Sequence, residues 1–160
     1  MTAPGGDEFG KLIAERTPRL AVRAIILREQ RLLLVNAWPG ADCDLWCAPG
    51  GGVTPGHSLP DNLAREVREE TGLAIEVGVP CLVNEFHDPA SGFHQVEIFF
   101  RCHLANGALE ADCRDPEGVV TRHRWVARAE MKRLRSKPGQ LAEVAWGGGL
   151  AYDPLELLVR

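Results

Sequence analysis

Three glutamates, Glu66, Glu69 and Glu70, fall within five residues in the middle of the chain. The surrounding sequence predicts a helix, on which Glu66 lies one turn from both of the others. Like charges at this spacing destabilise a helix by roughly 0.2–0.5 kcal/mol per pair, so a purely structural helix gains nothing from them. Oxygen-rich anionic clusters of this kind bind Mg²⁺ or Mn²⁺, usually together with substrate phosphates. We therefore predict a metal and phosphate site built on a helix.

This helix is predicted to begin after Ser58 and to end at Gly72. The tetrapeptide at 58–61, Ser-Leu-Pro-Asp, is a Ser-x-x-Asp start signal, and proline is tolerated in the first turn. Glycine commonly ends a helix in a left-handed conformation. The apolar residues that repeat every four positions define the buried face: Leu59, Leu63 and Val67. The carboxylates are therefore expected on a capped and packed element.

Three glycines, Gly50, Gly51 and Gly52, follow a short apolar strand predicted at 45–48. Glycine permits positive φ angles and allows the backbone to approach a ligand closely. A triple glycine also forms an ordinary tight turn. The residues alone leave both interpretations open, and we predict a loop here.

The remaining sequence predicts further strands and short helices. Apolar runs and alternating patterns predict strands at 20–27, 31–37, 74–79, 81–86, 94–104 and 119–126. Short helices are predicted at 8–16, 129–135 and 140–145. The polar loop at 105–117 carries Glu110 and Glu117.

Length and composition indicate one domain with two short extensions. The chain has 160 residues, which suits a single domain. We assign a tail and short helix to 1–17, the main domain to 18–136, and a C-terminal extension to 137–160. That extension is expected to pack on the domain or on a partner, with a homodimer as one option.

Charge and cysteine content exclude several classes of protein. The formal net charge of −4 argues against binding of a nucleic acid polymer, which normally requires a basic face. The N-terminal stretch lacks the apolar core of a secretory signal, and no segment is long enough to span a membrane. Five cysteines without a CxxC pair indicate reduced thiols in the cytoplasm.

Taken together, Gly51-x5-His57-x7-Arg65-Glu66-Val67-x-Glu69-Glu70-x-Gly72-Leu73 resembles the Nudix box. The pattern of that family is G-x5-E-x7-R-E-U-x-E-E-x-G-U, where U is an aliphatic residue. The tract at 45–53 also resembles the strand and loop that precede the helix in this family. The resemblance implies an α+β fold of the Nudix type, an α/β/α sandwich with a mixed β-sheet. One departure is clear, because His57 stands where the family has its first glutamate, which is peripheral to the inner metal shell.

The resemblance also implies roles for residues of the box. Glu66 and Glu70 would bind Mg²⁺ (or Mn²⁺) directly, with Glu69 as a third ligand or near neighbour. A backbone carbonyl of Gly50 or Gly51 would complete the coordination. Arg65 would orient Glu69, which lies one helical turn away.

Further roles concern the general base and the substrate. In the family the base is either the first helix glutamate, here Glu66, or a glutamate from a later loop. In that loop we rank Glu117 above Glu110, because Glu117 immediately precedes the strand predicted at 119–126. Substrate phosphates are expected at Arg23, Gly51 and Gly52, although Arg23 could equally form a surface ion pair.

The implied function is hydrolysis of a pyrophosphate bond in a nucleoside diphosphate derivative: an NTP or dNTP, ADP-ribose, or a nucleotide sugar. Pro89 lies sixteen residues past the box, as in ADP-ribose pyrophosphatases, but a proline in a turn is common. Trp38, Phe86 and Phe93 could stack on a base. One alternative is a catalytically idle Nudix fold that serves as a nucleotide-binding or regulatory module. The other is a structural acidic helix in an unrelated domain.

Overall fold

The computed structural model describes residues 17–106 and 114–160. The helix predicted at 8–16 and Glu110 lie outside the described residues. No helix in these two ranges is long and apolar enough to cross a membrane.

Within the described ranges, nine strands form one mixed sheet. They are β1 (Arg19–Arg28), β2 (Arg31–Asn36), β3 (Leu45–Cys47), β4 (Gly50–Gly52), β5 (Ala74–Asp88), β6 (Phe93–Asn106), β7 (His123–Ala127), β8 (Arg135–Ser136) and β9 (Ala151–Leu157). The helices are α1 (Leu59–Thr71), a 3₁₀ helix (Arg128–Arg133) and α2 (Leu141–Trp146). The strand order is β8-β3-β2-β1-β6-β5-β9, with β4 paired to β1 and β7 paired to β2.

The centre of the sheet is β1, which pairs in parallel with β6 and in antiparallel with β2 and β4. Its side chains alternate between two cores, as the period of a strand requires. One core contains Val22, Ala24 and Ile26 with Leu63 and Val67 of α1. The other core contains residues of β1, β2 and α2, namely Ile25, Leu32, Leu34, Leu141 and Val144. The two helices therefore cover opposite faces, which confirms the predicted α+β sandwich with a mixed sheet.

Several predicted elements differ from those observed. The glycines at 50–52 form β4 rather than a loop, because they pair with residues 21–23 of β1. The two segments predicted at 74–79 and 81–86 are one strand, β5, which has register shifts on either side of Pro80. The helix predicted at 129–135 is a 3₁₀ helix at Arg128–Arg133.

The prediction of a strand at 119–126 is wrong for residues 119–122. The backbone N–H groups there donate to side chains instead of to a neighbouring strand. Asp115 accepts from the N–H groups of Val119 and Val120, and Asn36 accepts from those of Thr121 and Arg122. The ladder to β2 begins only at His123, so β7 is short.

The C-terminal residues belong to the same sheet. β9 pairs in parallel with β5, from Leu82 opposite Ala151 to His87 opposite Leu157. This pairing brings the last residues of the chain beside the loop that follows β5.

Candidate functional site

Helix α1 is capped at both ends, which holds its carboxylates in place. The Ser58 hydroxyl accepts a hydrogen bond from the backbone N–H of Asp61 at 3.1 Å. At the other end, Gly72 has a φ of 73° and its N–H donates to the carbonyl of Arg68. Leu63 and Val67 are completely buried against the sheet. Both ends and the buried face are as the sequence predicted.

Glu66 lies directly against the glycine strand. Its side chain is buried, and a Cβ atom added to Gly51 would overlap its carboxylate. Arg65 pairs with Glu66 through Nη2 at 2.9 Å. Burial raises the pKa of Glu66, and Arg65 opposes that rise, whereas Glu69 and Glu117 add to it.

Glu70 reaches the same strand one helical turn later. The backbone N–H of Gly50 donates to its carboxylate at 3.0 Å, and only 7% of the residue is exposed. Burial raises the pKa of Glu70 to about 8 against the lowering effects of Arg23 and the Gly50 N–H, and the charges of Asp115 and Glu66 raise it further. Burial therefore disfavours the ionised form of both carboxylates when no cation balances them.

Glu69 pairs with Arg65. Arg65 donates to its carboxylate through Nη1 at 3.1 Å, in the one-turn pairing that the sequence suggested. About a third of the Glu69 side chain is exposed. The guanidinium of Arg65 thus bridges Glu66 and Glu69.

Arg23 lies partly buried behind the glycine strand. Its Nε pairs with Glu97 at 2.8 Å, and its Nη1 donates to the carbonyls of Ala48 and Gly50 at 3.3 Å each. Burial disfavours its charge, but the facing carboxylates raise the pKa of Arg23 overall. These contacts fix the backbone of Gly50, which has a φ of 149° and would clash with Val22 if it carried a Cβ.

The other predicted substrate residues lie nearby. Gly51 and Gly52 are half-buried in β4, and a Cβ on Gly52 would meet the guanidinium of Arg19. The proposed base Glu117 is exposed in the loop before β7 and lines the same cleft as Glu70. His57 is exposed in the turn before α1.

Sequence reasoning missed two residues that support this site. The carboxylate of Asp115 accepts hydrogen bonds from the backbone of Glu117, Val119 and Val120, and so shapes the loop that carries Glu117. Its turn signal, Asp-Pro-Glu-Gly, was available in the sequence. His123 contacts the carbonyl oxygen of Glu70 through Nε2 at 2.7 Å. Because a carbonyl only accepts, Nε2 carries the proton there. No local signal predicts that contact.

A cleft of about 270 Å³ lies beside Glu70 and β4. Its lining includes Gly50, Gly51, Glu70 and Glu117. The lining also includes aromatic and aliphatic side chains, namely Trp38, Phe86, Phe93, Leu157 and Val159. The cleft therefore combines carboxylates with apolar side chains.

The carboxylates of Glu66 and Glu70 suit a hard divalent cation. Mg²⁺ is usually held by one or two carboxylates together with water and substrate phosphates. Glu66 and Glu70 supply two buried carboxylates, and the carboxylate of Glu66 fills the space that a Cβ of Gly51 would need. Within residues 17–106 and 114–160, no three Asp, Glu, His or Cys side chains converge into a complete metal site. Two buried carboxylates fit an ion whose remaining ligands are water molecules and phosphate oxygens.

The fold and this site define a class of protein: an α+β sandwich in which a capped helix presents buried carboxylates to a glycine strand. The sequence model of the NUDIX domain family matches residues 17–146, and the chain belongs to that family.

Individual relatives agree with this assignment. A Bacillus subtilis protein named "Putative ADP-ribose pyrophosphatase YjhB" is 31% identical over 110 residues, which cover 67% of this chain and 49% of that protein. Another B. subtilis protein, named "Putative 8-oxo-dGTP diphosphatase", is 33% identical over 111 residues, which cover 64% and 62%. The chain thus spans less than two thirds of either relative. The solved structure of a NUDIX hydrolase from Nitrosomonas europaea has the same fold, with a TM-score of 0.67 at 21% identity, covering 80% of this chain and 86% of that one.

Proposed function

We propose that this protein hydrolyses the pyrophosphate bond of a nucleoside diphosphate derivative in a reaction that depends on Mg²⁺ or Mn²⁺. The observation that carries the proposal is the pair of buried carboxylates, Glu66 and Glu70, held against Gly50 and Gly51, where Glu70 and both glycines line a cleft. Membership of the NUDIX domain family supports it.

The metal would be held by Glu66 and Glu70 with a carbonyl of β4, and by Glu69 if it leaves Arg65. When bound, it neutralises phosphate charge and lowers the pKa of a water molecule. The protein positions these ligands: the absence of a side chain at Gly51 leaves room for the carboxylate of Glu66, and Arg23 fixes the backbone of Gly50. Gly51 and Gly52 also expose backbone to the phosphates.

A general base must take a proton from the attacking water. We assign this role to Glu117, because it lines the cleft and is exposed, whereas Glu66 is buried and paired with Arg65. Asp115 supports the assignment by holding the backbone of the loop that carries Glu117. Glu66 is the alternative base.

For the substrate we favour ADP-ribose over an oxidised deoxynucleoside triphosphate. The name of the first relative and the position of Pro89 favour ADP-ribose. The name of the second relative makes 8-oxo-dGTP the competing substrate. We also place the reaction in the cytoplasm, where the thiols stay reduced.

The test is hydrolysis of a substrate panel with Mg²⁺, Mn²⁺ or EDTA. The panel contains ADP-ribose, nucleotide sugars, canonical NTPs and dNTPs, and 8-oxo-dGTP. We expect metal-dependent turnover of ADP-ribose that Glu70→Gln lowers by at least about 100-fold, beyond the 10–100-fold typical of groups that only orient a metal ligand. Glu143→Gln is the matched control, because Glu143 is exposed on α2.

Two outcomes would contradict the proposal. Turnover that survives Glu70→Gln unchanged would exclude Glu70 as a metal ligand. Nucleotide affinity without turnover of any panel member would instead identify a catalytically idle binding module.

A further inference from the structure

The C-terminal segment lines the cleft although it lies beyond the part of the chain that matches the family. The family match ends at residue 146, whereas Leu157, Leu158 and Val159 form one wall of the cleft. This wall therefore lies outside residues 17–146, the part of the chain that the family model matches.

Two hydrogen bonds hold the segment in that place. The backbone N–H of Leu158 donates to the carbonyl of His87 at 2.8 Å, which continues the pairing of β9 with β5. From the other side, the indole N–H of Trp38 donates to the carbonyl of Val159 at 3.0 Å. The segment is thus fixed between β5 and the residues that follow β2.

Side-chain contacts reinforce both ends of the segment. Lys137 pairs with Glu156 at 2.6 Å, and both residues line the cleft. The guanidinium of Arg160 lies 5.5 Å from the centre of the Trp38 ring. Glu156 and Arg160 therefore flank the wall with contacts to other parts of the chain.

The exposed surface of this wall is apolar. Leu157 is 63% exposed although it lines the cleft. Phe86 and Phe93 lie on adjacent strands with ring centres 6.0 Å apart, and both line the same cleft. Exposed apolar side chains that gather in a cleft mark a ligand site.

Polar groups lie beside the apolar wall. The amide side chains of Asn84 and Gln95 line the cleft and are almost fully buried. Gln95 donates to Glu97 at 2.9 Å, so the amide is held in a fixed orientation. A planar heterocycle with hydrogen-bonding edges matches apolar walls combined with oriented amides, since its faces stack and its edges need polar partners.

We propose that residues 157–159, together with Trp38, form the subsite that binds the nucleobase and so determine specificity. The inference rests on the proposed function, because it assumes that the pyrophosphate group binds beside Glu70 and β4. The phosphates then lie against β4 while the base contacts Leu157 and the ring of Trp38.

The test compares Leu157→Ser with Leu150→Ser. Leu150 is equally exposed, at 66%, but does not line the cleft, which makes it the matched control. Calorimetric titration of each protein with AMP and with ribose 5-phosphate, in EDTA, measures binding without any turnover. We expect Leu157→Ser to weaken AMP binding about 10-fold, the range for a lost apolar contact in a binding pocket. Ribose 5-phosphate, which lacks the base, should bind all three proteins alike.

Trp38→Phe is a second variant that keeps a ring and removes the hydrogen bond to Val159. It should weaken AMP binding about 2- to 10-fold, as the loss of one hydrogen bond predicts. For ADP-ribose hydrolysis, Leu157→Ser should raise KM and leave kcat within twofold.

The binding and turnover results separate the two hypotheses. Wild-type protein that fails to bind AMP, or Leu157→Ser and Leu150→Ser with equal AMP affinity, would overturn the subsite even if ADP-ribose is hydrolysed. Selective loss of AMP binding in Leu157→Ser without hydrolysis of any pyrophosphate would support the subsite and refute the hydrolase function.

Discussion

The carboxylate of Glu66 occupies the space that a side chain at Gly51 would require. This relationship links the first glutamate of helix α1 to the glycine strand without any hydrogen bond between them. It explains why a residue with no side chain is needed at position 51. A substitution there moves the carboxylate and leaves its chemistry intact.

Gly51→Ala should therefore disable the site while the protein stays folded. The added methyl group displaces Glu66. Displacement of a catalytic group by about 1 Å can lower the rate roughly 100-fold. We expect kcat/KM to fall about 100-fold, with weaker Mn²⁺ binding by electron paramagnetic resonance. Gly148→Ala is the control, because a Cβ at Gly148 meets nothing within 4 Å. Equal activities of the two variants would refute the steric argument.

Glu117→Gln should separate proton transfer from metal binding. If Glu117 is the general base, kcat falls about 10²–10⁴-fold, the usual contribution of a positioned base. The affinity of the Glu117→Gln variant for Mn²⁺ should change little, because we do not place Glu117 among the metal ligands. Glu66→Gln should lose metal affinity as well as rate. A nearly normal kcat for Glu117→Gln at saturating metal would transfer the role of base to Glu66.

Without metal, the buried Glu70 should make stability depend on pH. Its pKa is raised to about 8 from the ordinary 4.5, so between these values the folded state binds more protons than the unfolded state. Stability contributed by the protonated form is complete below pH 4.5 and is lost as the pH rises toward 8. One unit of pKa shift corresponds to about 1.4 kcal/mol.

Glu70→Gln is neutral at every pH and removes this effect. We compare the Tm of Glu70→Gln with that of the wild type in EDTA by scanning calorimetry. The difference, variant minus wild type, should be at least about 3 °C larger at pH 8.5 than at pH 5. Saturating Mg²⁺ should reduce the difference by stabilising the wild type. A constant difference across this pH range would show that the Glu70 pKa is not raised.

His123 should act through the backbone of Glu70. Its Nε2–H satisfies a carbonyl in the last turn of α1, where the helix itself supplies no partner. His123→Leu leaves that carbonyl unpaired, at a cost of about 1–3 kcal/mol. We expect a lower Tm and weaker Mn²⁺ binding, whereas His123→Gln, which retains a donor, should recover most of both. Equal behaviour of the Leu and Gln variants would assign the effect to lost packing.

Much of the fold was predictable because its signals are local. The Ser58 cap, the apolar repeat of Leu63 and Val67, and the terminating Gly72 define α1 within one turn of each signal. The strands around Ile25, Leu33 and Val126 follow from β-branched or apolar runs. The lengths of β4 and β7 were not predictable, because distant partners decide them.

The sequence by itself determined that carboxylates at helical spacing follow a glycine tract, and hence the family and its kind of chemistry. The tertiary structure decided which groups complete the site. Arg23 lies behind Gly50, His123 reaches the end of α1, and Leu157 enters the cleft, each through pairing of strands far apart in the chain. Such contacts depend on sheet order and register, which no local spacing of residues encodes.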